Sequence, residues 1–177
     1  MPEADKKPKI NPSLQKKTAA RMAAVQCLYT LAMSGEAFTP AQQVIFLKKQ
    51  LGNNRDEQKL QVGAPIEPNY KLMENLLAGI EQWSGVIDSR IQEIVNEKWK
   101  TERMSPLLIA ILQCAVFEMF FDKDISAKIV IDEYTRLTRS FFADAEVDFV
   151  HGALSKLART HGAKIAAKAT PPGESEA

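Results

Sequence analysis

The residues able to do chemistry in this chain are few and scattered. His151 and His161 are its only imidazoles, and each stands alone in sequence. No CxxC, HExxH, GxSxG or phosphate-loop pattern accompanies them. Asp122 and Asp124 flank a turn, and Asp132 and Glu133 are adjacent. Adjacent residues on a helix point about 100° apart, which makes a poor acid/base pair. Glu118 interrupts an almost wholly apolar segment, and Glu133 follows the apolar run Ile129–Ile131. A carboxylate in such surroundings must find donors or take up a proton. The reading favoured is that one or both tie helix ends or loop amides together, because two carboxylates without a helpful histidine are weak metal ligands. No catalytic residue, metal or cofactor is assigned.

The best chemical lead is basic. Residues 1–21 hold Lys6, Lys7, Lys9, Lys16, Lys17 and Arg21 against only Glu3 and Asp5, in a chain whose net charge is +1. Any nucleic-acid footprint must therefore be local. Lysines ahead of a helix can grip RNA phosphates, while single-stranded RNA also wants flat side chains on which bases stack. Solvated, lysine-rich termini are common, so by itself this cluster is a weak signal.

The elements that would position these groups are helices. Met22, Val25, Gln26, Tyr29 and Met33 follow helical spacing as one stripe, and Gly35 ends that helix. Thr39-Pro40-Ala41-Gln42 reads as a capping box opening a second helix through Val44, Leu47 and Leu51. Gly52, Asn53, Asn54, Gly63, Pro65 and Pro68 break any period, so residues 52–67 are assigned to a loop. Met73, Leu76, Leu77 and Ile80 mark one further helix, and Ile87, Ile91, Ile94 and Val95 another, with Ser84-Gly85 as the turn between them. Trp99 is placed at the end of this pair, against the core.

Ser105-Pro106 caps a helix apolar on nearly all faces, which marks it as central. Ser126 caps the next, with Ile129, Val130, Tyr134 and Leu137 inward, and Asp144 caps the last, carrying Val147, Val150, Leu154, Leu157 and Ala158. Gly162 is read as a stop. The expected organisation is a basic flexible tail over 1–15, one helical domain over 16–162, and a disordered tail over 163–177. Cys27 and Cys114 both lie in apolar segments and read as buried free thiols. The apolar run Leu107–Phe121 is too short to span a bilayer and nothing resembles a signal peptide, so a soluble cytoplasmic protein is expected.

Four stretches then resemble a known family. Ala20-Arg21-Met22-Ala23-Ala24-Val25-Gln26-Cys27-Leu28-Tyr29 is similar to the NusB N-terminal signature ending in V-Q-A-L-Y. Met104 to Met119 resembles the family's central "A-I-L-R … Y-E-L" helix. Asp124-Ile125 through Ile129-Val130-Ile131-Asp132-Glu133, and Phe149-Val150-His151-Gly152-Ala153-Leu154, are similar to "D-[IV]-P-x-K-V-x-I-N-E" and "F-V-N-G-V-L". The matches run in the family's order from about Lys16 to Arg159.

The resemblance implies an all-α fold of about seven helices in two packed antiparallel bundles, and no enzymatic activity. It implies pairing with NusE, a ribosomal small-subunit protein, and binding of boxA RNA in nascent transcripts such as ribosomal RNA leaders. The complex is then delivered to RNA polymerase with other Nus factors; some members also form homodimers. Carried over by position, Lys16, Lys17, Arg21, Tyr29 and Phe149 are expected on the RNA side. Leu108, Ile109 and Gln113 of the central helix, with Asp144 and Ala145, are expected on the partner side. Glu118 matches a glutamate read as structural.

The chain also departs from the pattern. Thr18-Ala19-Ala20 thin the basic cluster, Ile109 and Gln113 stand where arginines are common, Phe142 takes a glycine position, Ala145 an acidic one, and His151 an asparagine one. These changes sustain an alternative, a NusB-like interaction module without boxA recognition. A methyltransferase accessory domain is a further, remote alternative.

Overall fold

The computed structural model describes residues 11–35, 39, 42, 44–45, 48–49, 66–96 and 98–167. Seven α-helices have their bounds among them: α1 Pro12–Ser34, α2 Tyr70–Gln82, α3 Ser84–Ile94, α4 Pro106–Phe121, α5 Ala127–Arg139, α6 Asp144–Thr160 and α7 Gly162–Ala167. A 3₁₀ turn, Thr101–Arg103, leads into α4. No strand occurs among the described residues. Gln42, Val44, Ile45, Lys48 and Lys49 are helical where described, with Val44 buried. The tail before residue 11, Leu47, Leu51, most of the expected loop and residues 168–177 lie outside the described set.

The core is built around α4. Eleven of its residues are buried, Leu108 to Phe120 with gaps at Ile109 and Gln113, and it touches each of the other six helices given above. The α1–α2 pair packs on it, α3 joins α2 and α6 to it, and α5–α6 form a hairpin against it. Ser105 and Ser126 cap α4 and α5 as expected, each accepting a backbone N–H within the first turn. Gly35, at φ 61, closes α1 in the left-handed conformation that only glycine adopts without strain. Thr39 and Gln42 exchange the two hydrogen bonds of a capping box, at 2.9 and 3.3 Å.

Several expectations need correction. Helix α1 begins at Pro12, capped by Asn11 accepting from Ser13 N, so residues 12–15 belong to the fold and not to a tail. Its inward face is Ala20, Arg21, Ala24, Val25 and Cys27, whereas Gln26, Tyr29 and Met33 are exposed. Small residues let α1 approach α4 closely, and a stripe counted on large apolar residues points the wrong way. Trp83 alone breaks α2 from α3, with Ser84 already helical. Ile129 is 51% exposed because the buried stripe of α5 runs Val130, Tyr134, Leu137, Thr138. Ala143, not Asp144, precedes α6; Asp144 and Glu146 instead set negative charge in the first turn, where the helix dipole favours it. Gly162 opens α7, and Ile165 is buried, so the fold runs at least to Ala167.

Candidate nucleic-acid interface

The first helix carries the basic lead, and the structure divides it. Lys16 and Lys17 are exposed. Arg21, one turn on, is 5% exposed and faces inward. Its Nε and Nη2 donate to the two oxygens of Glu118 at 2.8 and 2.9 Å, a bidentate fork. Its Nη1 donates to Glu133 Oε2 at 3.3 Å. Tyr134 donates its hydroxyl to Glu118 Oε2 at 2.5 Å, and Thr18 donates to Glu133 Oε2 at 3.1 Å. Placing Arg21 on the RNA side is therefore corrected: each of its three nitrogens donates to a carboxylate inside the fold, and at 5% exposure the group is turned away from any phosphate in solvent.

The charges in this network follow from the partners. Burial works against the Arg21 guanidinium, but the hydrogen bonds and charge of Glu118, with Tyr134 and Glu133 behind, outweigh it and raise its pKa. Burial, then the Glu118 carboxylate, push the Tyr134 phenol well above its ordinary range, so it stays a donor. Glu118 and Glu133 thus join α4 and α5 to α1, a stronger form of the tying role expected of them. Sequence reading took Arg21 from a family position and missed its burial; the signal available was the pair of carboxylates in apolar segments, each in need of a cation.

Tyr29 lies at the far end of α1, 37% exposed. Phe149, in the second turn of α6, is half-buried and stacks on Trp99, ring centroids 4.6 Å apart and planes 18° from parallel. The pair forms part of an open groove of about 700 Å³ between the end of α3 and α6, lined also by Ala145, Asp148, Lys98 and Lys156. Lys98 places its ammonium 5.5 Å from the Trp99 ring centre. Lys156 Nζ donates to the Glu93 carbonyl at 3.0 Å. Trp99 and the two lysines were not among the candidate site residues read from the sequence. Trp99 was read only as a core plug, and nothing in local spacing links residue 99 to 149.

The expected partner side is dispersed. Leu108 is 1% exposed and is corrected to a core residue. Ile109 and Gln113 are half-buried, so α4 offers no open apolar patch through them. Asp144 and Ala145 are exposed at the start of α6, and Ala145 is the one that borders the groove.

Cys27 and Cys114 are both buried and unpaired with each other. Burial pushes the Cys27 thiol up to about 11 and Cys114 well above its usual range, which makes them inert packing groups. Among the described residues no group of three or more His, Cys, Asp and Glu could hold a metal, and no helix is long and apolar enough to cross a membrane. A second polar cluster braces the C-terminal end. His161 Nε2 lies 2.5 Å from Glu93 Oε2, and Arg90 reaches the other Glu93 oxygen. The His161 hydrogen bond, with Arg90, holds the Glu93 carboxyl below its ordinary pKa.

Known proteins share this architecture and this order of residues. Residues 18–159 match the model of the NusB family. The transcription antitermination protein NusB of Maricaulis maris is 32% identical over 143 residues, 80% of this chain and 84% of that protein. Its counterpart in Gluconobacter oxydans is 28% identical, over 86% and 92% respectively. The solved structure of T. maritima NusB superposes with a TM-score of 0.60 at 21% identity, covering 94% of this chain and 96% of that one, which supports the fold alone.

Proposed function

The chain belongs to the NusB family of transcription antitermination proteins, and we propose that it acts, without catalysis, as an RNA-binding factor on the boxA element of nascent transcripts. It does so paired with NusE, within the Nus-factor assembly on RNA polymerase. The observation that carries the RNA reading is the Trp99–Phe149 groove. It sets the stacked Trp99 and Phe149 rings beside Lys98 and Lys156, with Asp148 also in the lining, and aromatic faces next to cations are what unpaired bases and their phosphates use. Lys16 and Lys17 add exposed charge on α1. Phosphate contacts supply salt-sensitive attraction, and base selectivity comes from the surface shared with NusE. Asp144 and Ala145 remain the residues proposed for that partner.

The test is fluorescence anisotropy of labelled boxA RNA and a scrambled RNA, each with and without NusE. Selective binding that NusE tightens is expected. Equal, weak binding to both RNAs, unmoved by NusE, would leave the interaction-module alternative in place. Changing Lys16 and Lys17 together to glutamine should flatten the dependence of log Kobs on log salt by about 1.4, about 0.7 for each phosphate contact to a single strand. An unchanged slope would remove these lysines from the RNA side.

A further inference from the structure

We propose that Arg136 is a phosphate-binding cation, and that with Lys16 and Lys17 it forms one basic edge running from α1 onto α5. This rests on the RNA-binding reading above. The geometry starts from a shared carboxylate. Glu133 turns Oε2 to α1, where Thr18 and Arg21 donate at 3.1 and 3.3 Å. Its other oxygen accepts from Arg136 Nη1 at 3.0 Å. One carboxyl group therefore holds Arg136 beside Thr18, the residue that follows Lys17.

The two ends of that ion pair differ in exposure. The Glu133 side chain is 16% exposed and that of Arg136 is 68% exposed. The acid is sunk between helices, while the guanidinium lies over it in solvent. A guanidinium has five N–H donors, and the Glu133 contact engages Nη1. The rest of the fork is available to an oxyanion, and its root is already fixed by Glu133, so less side-chain freedom is lost on binding.

The charge balance points the same way. Arg21 and Arg136 together match Glu118 and Glu133, and none of these ion pairs draws on Lys16 or Lys17. Among the described residues Arg136 pairs with Glu133 and not with Asp132, the acid one turn before it. Arg139 is exposed three residues further along α5, a neighbouring helical position in its last turn. The edge thus combines the point charges of two lysines with a planar fork suited to bidentate phosphate contact. It supplies on α5 the arginine that Arg21, turned inward, does not supply on α1.

The experiment is the salt titration of boxA RNA binding repeated with R136Q, E133Q/R136Q and K16Q/K17Q, alongside thermal unfolding of each. R136Q is expected to lower the slope by about 0.7 and to weaken binding about five-fold at 0.1 M salt. Its unfolding midpoint should hardly move, because exposed pairs contribute little stability. E133Q/R136Q should bind as weakly as R136Q. If it instead recovers wild-type binding, Arg136 only neutralises Glu133 and the proposal is overturned. A flattened slope in K16Q/K17Q with none in R136Q overturns the proposal and keeps the RNA reading. No change in either variant overturns the basic edge as a whole, and the RNA reading then stands or falls on boxA against scrambled RNA alone.

Discussion

Replacing Arg21 with alanine is expected to lower the unfolding free energy by about 3–5 kcal/mol, the loss typical when one partner of a buried ion pair is removed. The size comes from what stays behind. Glu118 is fully buried, and its two oxygens lose the fork at 2.8 and 2.9 Å, leaving the Tyr134 hydroxyl as its close donor in this network. Glu133 also loses its nearest buried cation. Urea unfolding followed by far-ultraviolet circular dichroism measures the loss. R21M/E118Q, which removes both charges and keeps an acceptor for Tyr134, should recover about 2 kcal/mol of it. A loss below about 1 kcal/mol in R21A would mean that the guanidinium sits in water, as a phosphate ligand would. The consequence for RNA work is direct: weak RNA binding by R21A reports unfolding, whereas the exposed Lys16, Lys17 and Arg136 can be changed without it.

Gly79→Ala should destabilise the protein by about 1–2 kcal/mol, although alanine is the better helix former by about 1 kcal/mol. Gly79 lies on the buried face of α2, and a methyl group there would overlap the ring of Phe117 on α4. The ring has little room to withdraw, being 5% exposed and stacked on Phe121 at 5.7 Å. Phe117→Leu makes space at the cost of packing. The pair G79A/F117L should therefore lose at least about 0.5 kcal/mol less than the sum of the single changes. Strictly additive losses in chemical denaturation would mean that the two helices do not meet at this point.

Helix identity was legible wherever large apolar residues repeat on one face, as with Met73, Leu76, Leu77 and Ile80, or Val147, Val150, Leu154 and Leu157. Caps at Ser105 and Ser126 were legible because their chemistry is local. What failed was orientation where the buried face is made of small or charged residues. Ala20, Arg21 and Ala24 carry no hydrophobic signal of their own, and their burial is dictated by Glu118 and Glu133, about a hundred residues away. The groove was hidden for the same reason. Phe149 could be singled out by position, but its partner Trp99 meets it only through the packing of α6 on the end of α3. Leu108 shows the opposite error, a residue given a surface role inside a segment whose composition already marked it as central.

The stacked rings also decide how the protein interacts with light. Its two indoles, Trp83 and Trp99, sit in unlike places. Trp83 is clasped against Phe121 at 4.3 Å where α2 gives way to α3, and Trp99 lies against Phe149 in the open groove. The tryptophan emission is therefore the sum of an interhelical fluorophore and one standing at the proposed RNA contact. Substituting phenylalanine for Trp83 would leave Trp99 in the groove as the sole indole emitter, and a nucleobase laid on it would quench that light directly. The molecule thus carries its own optical reporter, with no dye needed on either strand or protein.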